Sequence, residues 1–103
     1  MITCNLGVLD NAEREVQKKA WKALLAACEK VELENGFEFR FMPNRDLLSR
    51  VADLLYIEVL CCGFSELRLI INGNHDARAT FSFTGPPGTK AALAAQLELI
   101  TAS

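Results

Sequence analysis

Two rhythms of apolar residues divide this chain. From residue 10 to about residue 30 the period is helical: Val16, Ala20, Leu24, Ala27 and Val31 recur at spacings of three and four, with Trp21, Leu25 and Cys28 beside them. This predicts an amphipathic helix ending near Lys30. Asp10, with Glu13 three residues on, forms a capping-box start. Arg14, Lys18 and Lys22 mark a solvated face. The rhythm then changes to alternation in Val31-Glu32-Leu33-Glu34 and Phe37-Glu38-Phe39-Arg40-Phe41, on either side of Asn35-Gly36. Strands joined by Asn-Gly predict a hairpin with a type I′ turn. Phe37, Phe39 and Phe41 share one strand face, Glu38 and Arg40 the other.

Pro43 ends that strand, and Asn44 caps a second helix with Asp46 in its first turn and Gly63 as its stop. A second hairpin follows. Leu67, Leu69 and Ile71 alternate with Glu66, Arg68 and Ile70, the turn falls within residues 72–76, and Ala79, Phe81 and Phe83 alternate with Arg78, Thr80 and Ser82 on return. Thr84-Gly85-Pro86-Pro87-Gly88 leads to a last helix over residues 91–100. Phe39-x-Phe41 before Pro43 echoes Phe81-x-Phe83 before Pro86, suggesting an internal repeat of about 45 residues. The elements give an α+β fold of order αββαββα: one domain over residues 1–103, with a four-stranded antiparallel sheet and helices packed on one face. The expected polar face holds Glu32, Glu34, Glu38, Arg40, Glu66, Arg68, Arg78, Thr80 and Ser82. It reads either as solvated surface or as the pairing surface of a homodimer.

Composition narrows the classes. Half of the 103 residues are hydrophobic, enough to build a core without metal or disulfide staples. A net charge of −2 supplies no pull toward nucleic acid or anionic membrane. No apolar run is long enough for a bilayer span, and the first residues lack a signal-peptide pattern. These features predict a cytoplasmic protein whose four cysteines stay reduced as free thiols.

The chemistry gathers at Glu58-Val59-Leu60-Cys61-Cys62-Gly63-Phe64. Glu58 precedes Cys61 by three residues and Cys62 by four, so its carboxylate can approach both thiols. On a core-facing stripe a carboxylate needs a partner or a raised pKa. A helix carboxyl end beside an acid disfavours thiolates, which argues against a catalytic nucleophile. A soft metal cation reverses that argument, because it deprotonates its own ligands. The candidate metal ligands are therefore Cys61, Cys62 and Glu58, with Cys4 as a third thiol. Adjacent helical side chains diverge by about 100°, so a shared ion requires the helix to unwind near Cys62. The alternative is that these cysteines fill the core, as Cys28 does on its alanine-rich helical face. His75, in the expected turn, is expected to be solvent-exposed, and Thr84-Gly85-Pro86-Pro87-Gly88 reads as a helix cap in preference to an anion site. A small enzyme using Glu58 as general base would need a pocket above this helix end. No serine-protease set, phosphate loop or dinucleotide fingerprint accompanies these residues.

Cys4-Asn5-Leu6, Leu9, Glu13-Arg14, Asn35-Gly36-Phe37-x-Phe39, Glu58-x-x-Cys61-Cys62-x-Phe64 and Thr84-Gly85-Pro86-x-Gly88-x-Lys90 together resemble a family of small bacterial proteins of unassigned function. Its members typically read Glu-Arg-x-Cys-Cys-Pro-Phe at the helix end; here Val59 stands in place of the arginine and Gly63 in place of the proline. The resemblance implies a functional cysteine site and links Cys4 with the pair. It implies no reaction and no cofactor. The leading expectation is a binder of a soft metal or metalloid through Cys61 and Cys62. The alternative is an interaction module or homodimer working through the polar sheet face.

Overall fold

The computed structural model describes residues 4–73 and 77–101. A short 3-10 turn at Leu6–Val8 precedes α1 (Asn11–Ala27), β1 (Glu29–Leu33), β2 (Gly36–Phe41), α2 (Arg45–Cys61), β3 (Glu66–Ile70), β4 (Ala79–Thr84) and α3 (Thr89–Thr101). The order is αββαββα, and the four strands form one antiparallel sheet in the order β1-β2-β4-β3. The two hairpins thus meet along β2 and β4, where Phe37 faces Phe83 and Phe39 faces Phe81 across the ladder. These central aromatics are buried, and Trp21 of α1 packs on Phe39 and Phe81 at centroid distances of 5.3 and 6.0 Å.

Local chemistry sets the element ends. Asp10 accepts from Glu13 N–H while the Glu13 side chain accepts from Asp10 N–H, satisfying two donors at the start of α1. Asn44 accepts from Leu47 N–H at the start of α2. Thr89 Oγ1 donates to Pro86 O at the start of α3, and Gly88 has φ 100°, a conformation that favours glycine. The segment before α3 is thus a capping turn.

Four expectations shift. α1 stops at Ala27, with Cys28 as its C-cap, because the chain pairs as β1 from Glu29 onward. The first hairpin closes one residue early: Leu33 pairs with Gly36, leaving Glu34 and Asn35 as the loop, and no described non-glycine residue has positive φ. The expected type I′ turn at Asn35-Gly36 therefore does not occur. Gly36 belongs to β2, where a Cβ would lie 1.9 Å from the Phe83 carbonyl oxygen. Finally, β1 presents the opposite face from the one expected. Glu32 pairs with Phe37, sits at the border of the helix-covered side and forms an ion pair with Lys90 of α3. Val31 instead aligns with Glu38 on the open face.

On that open face Glu38 pairs with Arg40, Glu66 with Arg68, and Glu29 with Arg78. The expected second turn at residues 72–76 extends beyond the described residues, and His75 lies among those not described. Among the described residues, no helix is long and apolar enough to cross a membrane.

Candidate functional site

The α2 helix ends at Cys61. Cys62 has φ −127° and ψ 57°, outside the helical region, while its N–H still bonds to Glu58 O at 2.7 Å. This single non-helical residue removes the divergence expected of neighbouring helical side chains. Both cysteines turn inward, Cys61 at 4% exposure and Cys62 at 0%, with their sulfurs 3.5 Å apart. Glu58, one turn earlier, is fully buried. Its Oε2 lies 3.4 Å from Cys61 Sγ and 3.3 Å from Cys62 Sγ. The ligand atoms of Glu58, Cys61 and Cys62 all fall within 4.8 Å of one another, a grouping able to hold a metal ion.

Three helices converge on this carboxyl. From α1, Trp21 Nε1 donates to Glu58 Oε1 at 2.5 Å and Gln17 Nε2 donates at 3.3 Å. From α3, Gln96 Nε2 reaches both carboxyl oxygens at 2.7 and 3.0 Å. All these donors are neutral. Burial raises the Glu58 pKa above the ordinary carboxylate value, and the hydrogen bonds from Trp21, Gln96, Cys61 and Gln17 only partly oppose it. Burial and the nearby Glu58 charge push the Cys61 thiol up to about 12, despite the donor at Gln17 Nε2, 3.6 Å away. A cysteine so placed is a poor nucleophile at neutral pH.

The fourth participant is Cys4, which forms a disulfide with Cys62 across 58 residues and a Cα separation of 4.6 Å. This corrects the expectation of four free thiols: Cys28 and Cys61 are free, Cys4 and Cys62 are joined. That expectation rested on a cytoplasmic, reducing setting. Cys4 was expected here as a third thiol, and the structure brings it to the end of α2 as the bonded partner of Cys62. Asn5 N–H, bonded to Cys61 O at 2.7 Å, fixes that approach. While bonded to Cys4, Cys62 Sγ has no proton to donate, so its 3.3 Å approaches to Glu58 Oε2 and Gln96 Oε1 are contacts; reduction supplies one thiol proton, which can be donated to one of these oxygens.

Glu58, Cys61, Cys62 and Cys4 are thus brought to one place, while Cys28 is half-buried at the C-cap of α1. Trp21 was legible only as core, and Gln17 and Gln96 were missed. Their signal was present: each amide interrupts an apolar stripe, Gln17 with Ala20, Trp21 and Leu24, Gln96 with Leu93, Leu97 and Ile100. A cleft of about 110 Å³ reaches the group from outside, lined by Cys4, Leu6, Ala92, Ala95, Gln96 and Leu99 but not by Glu58. Comparison with protein-family models, curated proteins and solved structures yields no match.

Proposed function

We propose that the reduced protein binds a soft metal or metalloid ion through Cys61 and Cys62, with Cys4 as a third thiol and Glu58 as the adjacent carboxyl. The observation that carries this reading is the break in helical geometry at Cys62, which turns two neighbouring sulfurs toward one carboxyl oxygen. Tetrahedral metal–thiolate bonds of about 2.3 Å place ligand sulfurs about 3.8 Å apart, close to the 3.5 Å between Cys61 and Cys62. A bound cation would oppose the burial that holds these groups protonated, so uptake would release protons. Soft sulfur donors favour copper(I), zinc, mercury(II) or trivalent arsenic over hard oxygen-seeking ions.

The disulfide supplies a control in the same sequence. Oxidised, the site retains one thiol, Cys61; reduced, it has three. Native mass spectrometry and thermal shift against zinc, copper(I), mercury(II) and arsenite should show a stoichiometric adduct with the reduced chain. The oxidised chain and a folded Cys61→Ser/Cys62→Ser variant should lose this chelate, keeping at most the mercury(II) adduct of an isolated thiol such as half-buried Cys28. Absence of any adduct with the folded, reduced protein would return these cysteines to the core.

A further inference from the structure

Access to the sulfurs is unequal. Cys62 is fully buried and Cys61 is 4% exposed, whereas Cys4 is half-buried and lines the cleft between the 3-10 turn and α3. Leu6, Ala92, Ala95 and Leu99 make that mouth largely aliphatic, and the Gln96 amide nitrogen is already committed to Glu58. A hydrated bare ion gains little from such walls. An apolar group attached to a thiophilic centre gains from leaving water. The volume of about 110 Å³ compares with roughly 30 Å³ for a water and a dry cavity of about 150 Å³ that holds benzene. It suits a methyl group or an aryl ring left partly open to solvent.

Cys4 and Cys62 are also a preformed pair. Their backbones lie close enough for a disulfide, and Asn5 N–H to Cys61 O fastens the segment that carries Cys4. A centre with two exchangeable positions and one fixed organic substituent matches two converging thiols beside one apolar cleft.

We infer that, once reduced, Cys4 and Cys62 capture a trivalent arsenic centre bearing one organic group, which lodges in the cleft formed by Leu6, Ala92, Ala95 and Leu99. This rests on the soft-ion reading and narrows it to a ligand class. A dithiol reductant first opens the disulfide, becoming a disulfide itself and leaving two thiols on the protein. The arsenical, R–As(OH)₂, then loses both hydroxyls as water, taking up the two thiol protons. Two arsenic–sulfur bonds form, and arsenic remains trivalent. Arsenite has three exchangeable hydroxyls and would take its third sulfur from Cys61, 3.5 Å from Cys62 Sγ. The organic ligand does not need Cys61.

The test titrates the protein, reduced with a phosphine, with phenylarsine oxide and with arsenite, read by native mass spectrometry and calorimetry. Ala95 is an exposed helical position, where leucine costs little in helix propensity. Ala95→Leu should weaken phenylarsine oxide by about tenfold or more and leave arsenite unchanged. Cys61→Ser, its fold checked by circular dichroism, should do the reverse. Phenylarsine oxide binding that is indifferent to Ala95→Leu, or that survives Cys4→Ser, overturns the inference while the soft-ion reading stands. Arsenite uptake without phenylarsine oxide uptake has the same consequence. Failure of the folded, reduced protein to bind either, together with zinc, copper(I) and mercury(II), overturns both.

Discussion

Trp21 and Glu58 lie 37 residues apart, and the indole Nε1–H of one donates to the carboxyl Oε1 of the other at 2.5 Å inside the core. The same indole packs on Phe39 and Phe81 of the central strands. One side chain therefore joins the aromatic core to the cysteine end of α2, and a change in charge at Glu58 is felt by the only tryptophan in the chain.

That coupling gives an optical test of the carboxyl. Burial raises the Glu58 pKa above its ordinary 4.5, so the folded chain holds this proton more tightly than the unfolded chain. The stability it contributes is full below that ordinary value and is lost as pH rises through the raised one. Thermal unfolding should show wild type losing stability over that interval, whereas Glu58→Gln has no such loss. Trp21 emission should titrate over the same range in wild type and lose that inflection in Glu58→Gln. Wild-type and variant profiles that run parallel would show that Glu58 ionises as an ordinary carboxyl.

Gln96 should matter most when Glu58 is charged. Its amide touches both carboxyl oxygens, and Gln96→Leu removes that donor without replacing it. The expected cost is about 1–3 kcal/mol, larger on the alkaline side of the Glu58 transition than on the acid side. Urea unfolding at two pH values measures the difference. Equal costs at both would mean that Gln96 supports packing and not the carboxylate.

Gly36 is a purely structural counterpart. A methyl group there would meet the Phe83 carbonyl oxygen at 1.9 Å and Thr84 Cα at 2.8 Å, both backbone atoms of the neighbouring strand. Gly36→Ala should therefore force β2 from β4 and cost about 3 kcal/mol or more. Denaturant unfolding checks this. A loss below about 0.5 kcal/mol, the scale of an ordinary surface change, would mean that the two strands are not so closely apposed.

The sequence carried the fold well where one rhythm had one explanation. The Phe37/Phe39/Phe41 and Ala79/Phe81/Phe83 alternations placed the central strands and their buried face correctly. At β1 the signal was ambiguous. Val31 and Leu33 are apolar but lie on the open side of an edge strand, while Lys30 and Glu32 border the helical side, where Lys30 sits 4.4 Å from the Phe37 ring and Glu32 meets Lys90. Long charged side chains can border a core while their ends reach water, so alternation alone assigned the wrong face. At the candidate site, local spacing brought Glu58 to both cysteines. It could not supply Gln17, Trp21 or Gln96, which come from two other helices and meet only through helix packing. Cys4 was legible as a third thiol, but not as a disulfide partner held by the Asn5–Cys61 backbone bond.

The Cys4–Cys62 bond closes a loop across 58 residues, from the start of the chain to the end of α2. On the chain-entropy account a closure of that size stabilises the folded state by about 4 kcal/mol, by restricting the unfolded one. Reduction should lower the urea midpoint accordingly while far-ultraviolet circular dichroism stays close to native, because the aromatic core does not depend on the bond. Thiol counting gives an independent reading. The unfolded, unreduced protein should show two reactive thiols, Cys28 and Cys61, and the reduced protein four. Cys4→Ala should reproduce the lower stability and raise the unreduced count to three by freeing Cys62. A count of four without reductant, with an unchanged midpoint on adding it, would show that residue 4 does not staple this helix.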